Sequence, residues 1–89
     1  MDKRLDEKIN EKIEEALSSL HEVRQITNSL DKLAASSKQF QYGIVIGRLY
    51  NSFHYQTRRI LGRNATEGEF SDFLKILSSK MADLKRACQ

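Results

Sequence analysis

The chain has 89 residues with one cysteine, no proline and no tryptophan, and 30% of the residues are charged. This length allows one domain at most, and a single cysteine excludes an intrachain disulfide. The longest apolar run is too short to cross a bilayer, and the charged opening Met1–Arg4 lacks the pattern of a secretory signal. We therefore predict a cytoplasmic protein without membrane contact.

The formal net charge of +3 is unevenly distributed. Residues 1–31 contain eight acids and five bases, whereas residues 32–66 contain six bases and no acid. Residues 67–89 contain four of each. The acid-free stretch indicates a basic surface on the middle of the chain.

The first predicted helix covers about residues 2–35. Its apolar residues recur in alternating steps of four and three, which is the heptad pattern of a coiled coil. The two columns of this seam are Ile13, Leu20, Thr27 and Ala34, and Ile9, Ala16, Val23 and Leu30.

The second predicted helix covers about residues 37–61 and begins where the heptad pattern breaks. Ser36 and Gln39 fit a capping box at that point. A continuous or kinked helix is one alternative, and an earlier break at Asn28-Ser29 is another. Gly62 stands where a C-terminal glycine cap belongs. The face predicted to lie in the core comprises Tyr42, Ile46, Leu49, Tyr50, Phe53, Thr57, Ile60 and Leu61.

The third predicted helix covers about residues 67–87, after a capping box formed by Thr66 and Glu69. Its apolar face comprises Phe70, Phe73, Leu74, Leu77, Met81, Leu84 and Cys88. The expected fold class is therefore all-α, with residues 1–89 as a single domain. The expected architecture is a three-helix bundle, or a helical hairpin on a long coiled-coil-like N-terminal helix.

The unequal helix lengths predict self-association. At about 1.5 Å per residue, the first helix is roughly 50 Å long and the other two roughly 30–38 Å. The hairpin then leaves one end of the first helix projecting, with Leu5, Ile9 and Ile13 exposed unless a second copy covers them. Fraying of this end in a monomer is the alternative. We predict a homo-oligomer, most simply a dimer.

The segment Gly43–Gly47 is predicted to be a second subunit contact. This segment is apolar around the whole helix, so each of its sides is expected to pack against another part of the protein or a partner. Ile44 and Val45 point away from the predicted core face, and the two glycines permit close approach of another helix. Packing within one chain is the alternative. The predicted oligomer interface comprises Leu5, Ile9, Ile13, Gly43, Ile44, Val45 and Gly47.

A basic face on the second helix is predicted to bind a partner or nucleic acid. It comprises Arg48, Ser52, Tyr55, Arg58, Arg59 and Arg63. Arginines beside an exposed aromatic ring suit phosphates or an acidic protein surface. The alternative is a solvated face whose arginines pair with the acids of the first helix. Tyr55, which fits neither the core nor a cap, is the best single candidate for a partner contact.

The sequence offers no pattern for catalysis or for binding a metal or cofactor. His21 and His54 lie on different helices, and Ser18 occupies the position where a helical di-metal motif needs glutamate. Cys88 continues an apolar stripe, which favours a buried thiol. We therefore expect that this chain is not an enzyme. The favoured function is that of an assembly or adaptor module, or a small regulatory subunit, acting through protein contacts with an unknown partner and with itself. The alternative is a basic helical nucleic-acid-binding protein.

Overall fold

The computed structural model describes residues 1–30 and 37–87, which form five helices. They are α1 (Lys3–Ser18), α2 (Leu20–Ser29), α3 (Ser37–Leu61), α4 (Glu67–Ser79) and α5 (Met81–Ala87). No strand occurs in this part of the chain. The prediction of an all-α fold is confirmed.

The helices form three segments that lie side by side. α3 has 25 residues and is about 37 Å long, close to the longest dimension of the molecule, 39 Å. An ion pair between Glu14 and Lys80, 3.6 Å, and a hydrogen bond from the Arg24 guanidinium to the carbonyl oxygen of Ala87, 3.1 Å, place α1 and α2 beside α4 and α5. These two segments run in the same direction, and α3 runs against both.

The core lies where the three segments meet. The Phe53 and Phe73 rings stack there with centroids 4.5 Å apart and an interplanar angle of 10°, joining α3 to α4. The apolar residues of the heptad seam from Ile9 to Val23 are buried in the same core. The buried apolar residues are Leu5, Ile9, Ile13, Ala16, Leu20, Val23, Val45, Leu49, Phe53, Phe73, Leu77 and Leu84.

The prediction of one continuous first helix is wrong, because the helix breaks at Ser19. The hydroxyls of Ser18 and Ser19 donate to the carbonyl oxygens of Glu14 and Glu15, at 2.9 and 2.7 Å. Serine hydroxyls bonded to the preceding turn compete with regular helix geometry, and Ser19 has φ −120° and ψ 31°.

The end of the first segment also differs from the main prediction. α2 ends at Ser29, which is the position of the alternative break at Asn28-Ser29. The predicted break at Ser36 lies outside the described residues. α3 then begins at Ser37.

The third predicted helix is also divided, at Lys80. The hydroxyl of Ser79 donates to the carbonyl oxygen of Ile76 at 2.7 Å, and the Lys80 amide is shared between the carbonyl oxygens of Ile76 and Leu77. A tightened last turn of this kind commonly ends a helix. The side chain of Met81 and the whole of Cys88 lie outside the described residues.

The prediction that the N-terminal end projects from the fold is wrong. Leu5, Ile9 and Ile13 are 0%, 2% and 0% exposed within a single chain. The reason is the length of the described segment: α1 and α2 end at Ser29 and together span about 40 Å, close to the length of α3. The accessible surface, 5776 Å², is close to the roughly 5,400 Å² expected for a folded monomer of this mass. These three side chains therefore have no free surface for a second subunit.

Candidate partner-binding surfaces of α3

The predicted inner face of α3 is confirmed at Leu49, Phe53 and Thr57, which are buried, and is wrong at Ile46 and Tyr50. Val45, Leu49 and Phe53 follow one another in steps of four and are buried. Ile46 and Tyr50, each one position later, lie at the surface. The assignment of Val45 to a subunit interface is therefore wrong, as is the assignment of Ile46 and Tyr50 to the core.

An apolar, uncharged surface lies on the outer side of α3, and we call it the glycine surface. Ile46, Tyr50 and Leu74 are 39%, 47% and 47% exposed, although all three have large apolar side chains. The glycine surface comprises Gly43, Ile46, Gly47 and Tyr50 of α3, with Leu74 of α4. Exposed apolar side chains in one region of a small protein mark a surface suited to contact with a partner.

The two glycines leave this surface open. A Cβ atom built on Gly43 or on Gly47 meets no heavy atom within 4 Å. The chain therefore does not use these glycines for close packing within itself, which was the alternative prediction. Ile44, between them, is half-buried and packs against the core. The helix backbone at Gly43 and Gly47 is accessible to another molecule.

Aromatic contacts join the glycine surface to α4. The Tyr50 ring lies edge-on to Phe70, with centroids 6.2 Å apart, and edge-on to His54 at 4.7 Å. Leu74 follows Phe70 by one helical turn on the same side of α4. Since α4 runs against α3, that step leads from Tyr50 towards Ile46. Leu74 therefore lies on the side of α4 that borders the exposed side chains of α3.

A cleft adjoins the glycine surface where α3 meets α5. It has a volume of about 210 Å³ and is lined by Tyr42, Ile46, Leu84 and Lys85. Ile46 belongs to both the cleft and the glycine surface.

The basic strip on α3 lies beside the glycine surface. Arg48, Tyr55 and Arg58 are exposed and have no hydrogen bond or ion pair with any described residue. Tyr55, at 58%, is more exposed than any other large apolar or aromatic residue found at the surface of the described segments. Ser52 is half-buried at the edge of the core. These positions agree with the prediction that Tyr55 lies outside the core.

Two of the predicted arginines are held by their own chain. Arg59 donates to Oε1 of Gln56 at 3.3 Å. Arg63 forms a two-pronged ion pair with Glu69, with donor–acceptor distances of 2.8 and 3.0 Å. Arg63 is therefore exposed but already paired, because the first turn of α4 brings Glu69 back to the end of α3.

Glu69 also completes the helix cap of α4. The Thr66 hydroxyl accepts from the Glu69 amide at 3.1 Å, and the Glu69 carboxylate accepts from the Thr66 amide at 2.9 Å. The predicted capping box is thus confirmed. The bond from Arg63, followed by that from the Thr66 amide, lowers the pKa of Glu69 from 4.5 to about 2. The carboxylate fixes the turn between α3 and α4.

The acids of α1 do not neutralise the arginines of α3. Lys8 and Glu11 form an ion pair at 2.9 Å, and Lys12 and Glu15 form another at 3.2 Å. The bond from Lys8 lowers the pKa of Glu11, and the charge of Arg59 is the weakest contributor to that shift. Within the described segments, no ion pair joins α1 to α3. The alternative prediction, a basic face paired with the first helix, lacks support.

Three further observations concern the histidines, the potential metal ligands and the apolar character of the described helices. His21 lies exposed on α2. The ring of His54, on α3, stacks against Phe70 of α4, so the two histidines do not share a site. No group of three or more potential metal ligands occurs in residues 1–30 and 37–87. In the same segments, no helix has the length and apolar character needed to span a membrane.

Comparisons with protein-family models, with curated proteins and with solved structures gave no match to this chain.

Proposed function

We propose that this chain is a non-catalytic helical assembly module that self-associates through the glycine surface. The observation that carries the proposal is the exposure of Ile46, Tyr50 and Leu74 around two open glycines. The cores of homodimer interfaces are richer in apolar area than ordinary protein surface. An adaptor or a small regulatory subunit would use the same surface towards a different partner.

The charge distribution favours a second copy as the occupant. In a two-fold dimer each surface meets its own copy, so charges of one sign on that surface would repel one another. The glycine surface carries no lysine, arginine, aspartate or glutamate. The five residues of this surface can therefore meet their own copies without opposing like charges, and Lys85 of the adjoining cleft lies at the edge of such a contact.

The glycines determine how closely the two copies can approach. Helices usually pack with axes about 8–10 Å apart, and the separation depends on the side chains at the crossing point. At Gly43 and Gly47 no side chain intervenes, so two copies of α3 can cross with their backbones in contact. Ile46 and Tyr50 then lie beside the crossing point, where the partner covers them.

Sedimentation velocity from micromolar to millimolar concentration tests the proposal. We expect the mass to rise from 10.3 kDa towards twice that value, and Ile46→Glu to remain monomeric because it buries a charge at the contact. The matched control is Ile26→Glu, since Ile26 is 40% exposed on α2 and is not part of the glycine surface. A wild-type chain that stays monomeric throughout, or equal loss of association in both variants, refutes self-association at this surface.

A further inference from the structure

The basic strip of α3 concentrates positive charge that the rest of the fold leaves available. α3 has four cationic side chains and no acid. Arg48 and Arg58 have no hydrogen bond or ion pair with any described residue, whereas Arg59 donates to an amide oxygen and interacts electrostatically with Glu11. The neighbouring carboxylates Glu11 and Glu15 are paired with lysines of their own helix.

The strip has a regular geometry. Arg48 and Tyr55 are seven residues apart, so they lie on nearly the same line of the helix, separated by about 10 Å. Arg58 and Arg59 follow one turn after Tyr55. An aromatic ring with open faces thus lies between guanidinium groups along one side of a rigid helix.

We propose that Arg48, Tyr55 and Arg58, with Arg59 at the margin, bind single-stranded nucleic acid. The guanidinium groups bind phosphates, and the Tyr55 ring stacks on an unpaired base. A duplex keeps its bases within its own stack and offers none to such a ring. Arg63 is not part of the site, since Glu69 occupies its guanidinium. The inference does not depend on the proposed self-association.

Fluorescence anisotropy with a labelled, unstructured oligonucleotide tests the proposal on the full chain. Three phosphate contacts on a single strand give a slope of about −2 for log affinity against log salt, so affinity falls about 20-fold between roughly 50 and 200 mM salt. Single-stranded oligonucleotide is expected to bind at least tenfold more tightly than a duplex of the same length. Absence of binding at low salt, or equal affinity for the duplex, overturns the proposal.

Charge-matched variants separate the site from a general attraction between opposite charges. Arg58→Glu on α3 and Lys75→Glu on the outer side of α4 change the net charge equally, and both side chains are exposed. We expect Arg58→Glu to lower affinity at least tenfold and Lys75→Glu to lower it less than threefold. Arg48→Gln serves as a second variant should Arg58→Glu fold poorly by circular dichroism. Equal losses for Arg58→Glu and Lys75→Glu overturn the site.

The Tyr55 ring supplies the readout for stacking. Tyr55→Phe keeps an aromatic face and is expected to retain affinity within about twofold, whereas Tyr55→Ser is expected to lose about tenfold. Inorganic polyphosphate, which has no bases, should compete weakly and without regard to residue 55. If polyphosphate competes as well as the oligonucleotide and Tyr55→Ser binds normally, the strip binds polyanions such as acidic protein segments, and the nucleic-acid proposal fails.

Discussion

α1 and α3 are both amphipathic, but they differ in what they leave at the surface. α1 buries Leu5, Ile9 and Ile13 almost completely, because its apolar residues form one stripe that faces α3. α3 has apolar residues at consecutive positions, from Ile44 to Ile46, which point in different directions around the helix. When Val45 packs into the core, Ile46 remains at the surface. Both helices contribute to the core, but the helix with the less regular pattern also leaves large apolar side chains at the surface.

The largest expected difference in stability is between a substitution in the buried stripe of α1 and one in the glycine surface of α3. Ile13→Ala removes a fully buried side chain and should lower the free energy of unfolding by about 2–5 kcal/mol. Ile46→Ala should lower it by less than about 1 kcal/mol in a monomer, because Ile46 is only partly covered. Urea unfolding at low micromolar concentration measures both. Similar losses for the two variants would mean that Ile46 belongs to the core after all.

The glycine that ends α3 contrasts with the glycines within it. Gly62 has φ of 68°, a conformation that strains any residue with a Cβ atom. Gly62→Ala should therefore destabilise the chain by about 1–2 kcal/mol, measured by thermal unfolding. An unchanged melting temperature would show that the turn after α3 adjusts without cost.

The turn between α3 and α4 should respond to acid. Glu69 has its pKa lowered from 4.5 to about 2 by folding. Its carboxylate therefore contributes its full stabilisation above about pH 4.5 and loses it as the pH falls towards 2. Glu69→Gln keeps a side chain that suits the capping box but removes the charge. We expect it to cost up to about 1 kcal/mol at neutral pH, as for an exposed ion pair.

The pH dependence of that difference is the decisive measurement. The free energies of unfolding of the wild type and Glu69→Gln should converge as the pH falls below about 4.5. A constant difference between neutral pH and pH 3 would show that the charge of Glu69 contributes nothing to the folded state.

Features set by local chemistry were predictable from the sequence. The capping box of Thr66 and Glu69 depends on residues three positions apart, and the cap at Gly62 depends on a single glycine. The heptad seam likewise predicted which side of α1 lies in the core, because only one stripe of that helix is apolar. Short-range signals of this kind need no knowledge of the other helices.

The helix breaks were missed although a local signal was present. The breaks at Ser19 and Lys80 each lie at or just after a pair of serines, Ser18-Ser19 and Ser78-Ser79. Serine hydroxyls bond to the helix backbone at both sites. The projecting end was predicted for a different reason: the first helix was extended to about residue 35, whereas α2 ends at Ser29.

The orientation of α3 required tertiary information. Val45, Leu49 and Phe53 repeat every four residues, and Ile46 and Tyr50 have the same spacing 100° further round the helix. The predicted core face took Leu49 and Phe53 from the first line and Ile46 and Tyr50 from the second, because both lines are apolar. Packing against α1 on one side and α4 on the other selects the first line. The ion pair that occupies Arg63 also depends on the fold, because it needs the return of α4.

The proposal that α3 has a surface for self-association is tested most directly by Gly47→Ala. Two quantities are measured for this variant: the stability of the monomer and the strength of self-association. Nothing lies within 4 Å of an added Cβ atom, so alanine should raise the stability of the monomer by up to about 1 kcal/mol through its higher helix propensity. In the proposed dimer the same methyl group would lie between two copies of α3, so self-association measured by sedimentation velocity should weaken at least tenfold. A more stable monomer with weaker association is the predicted result. A variant that associates as tightly as the wild type would contradict the account.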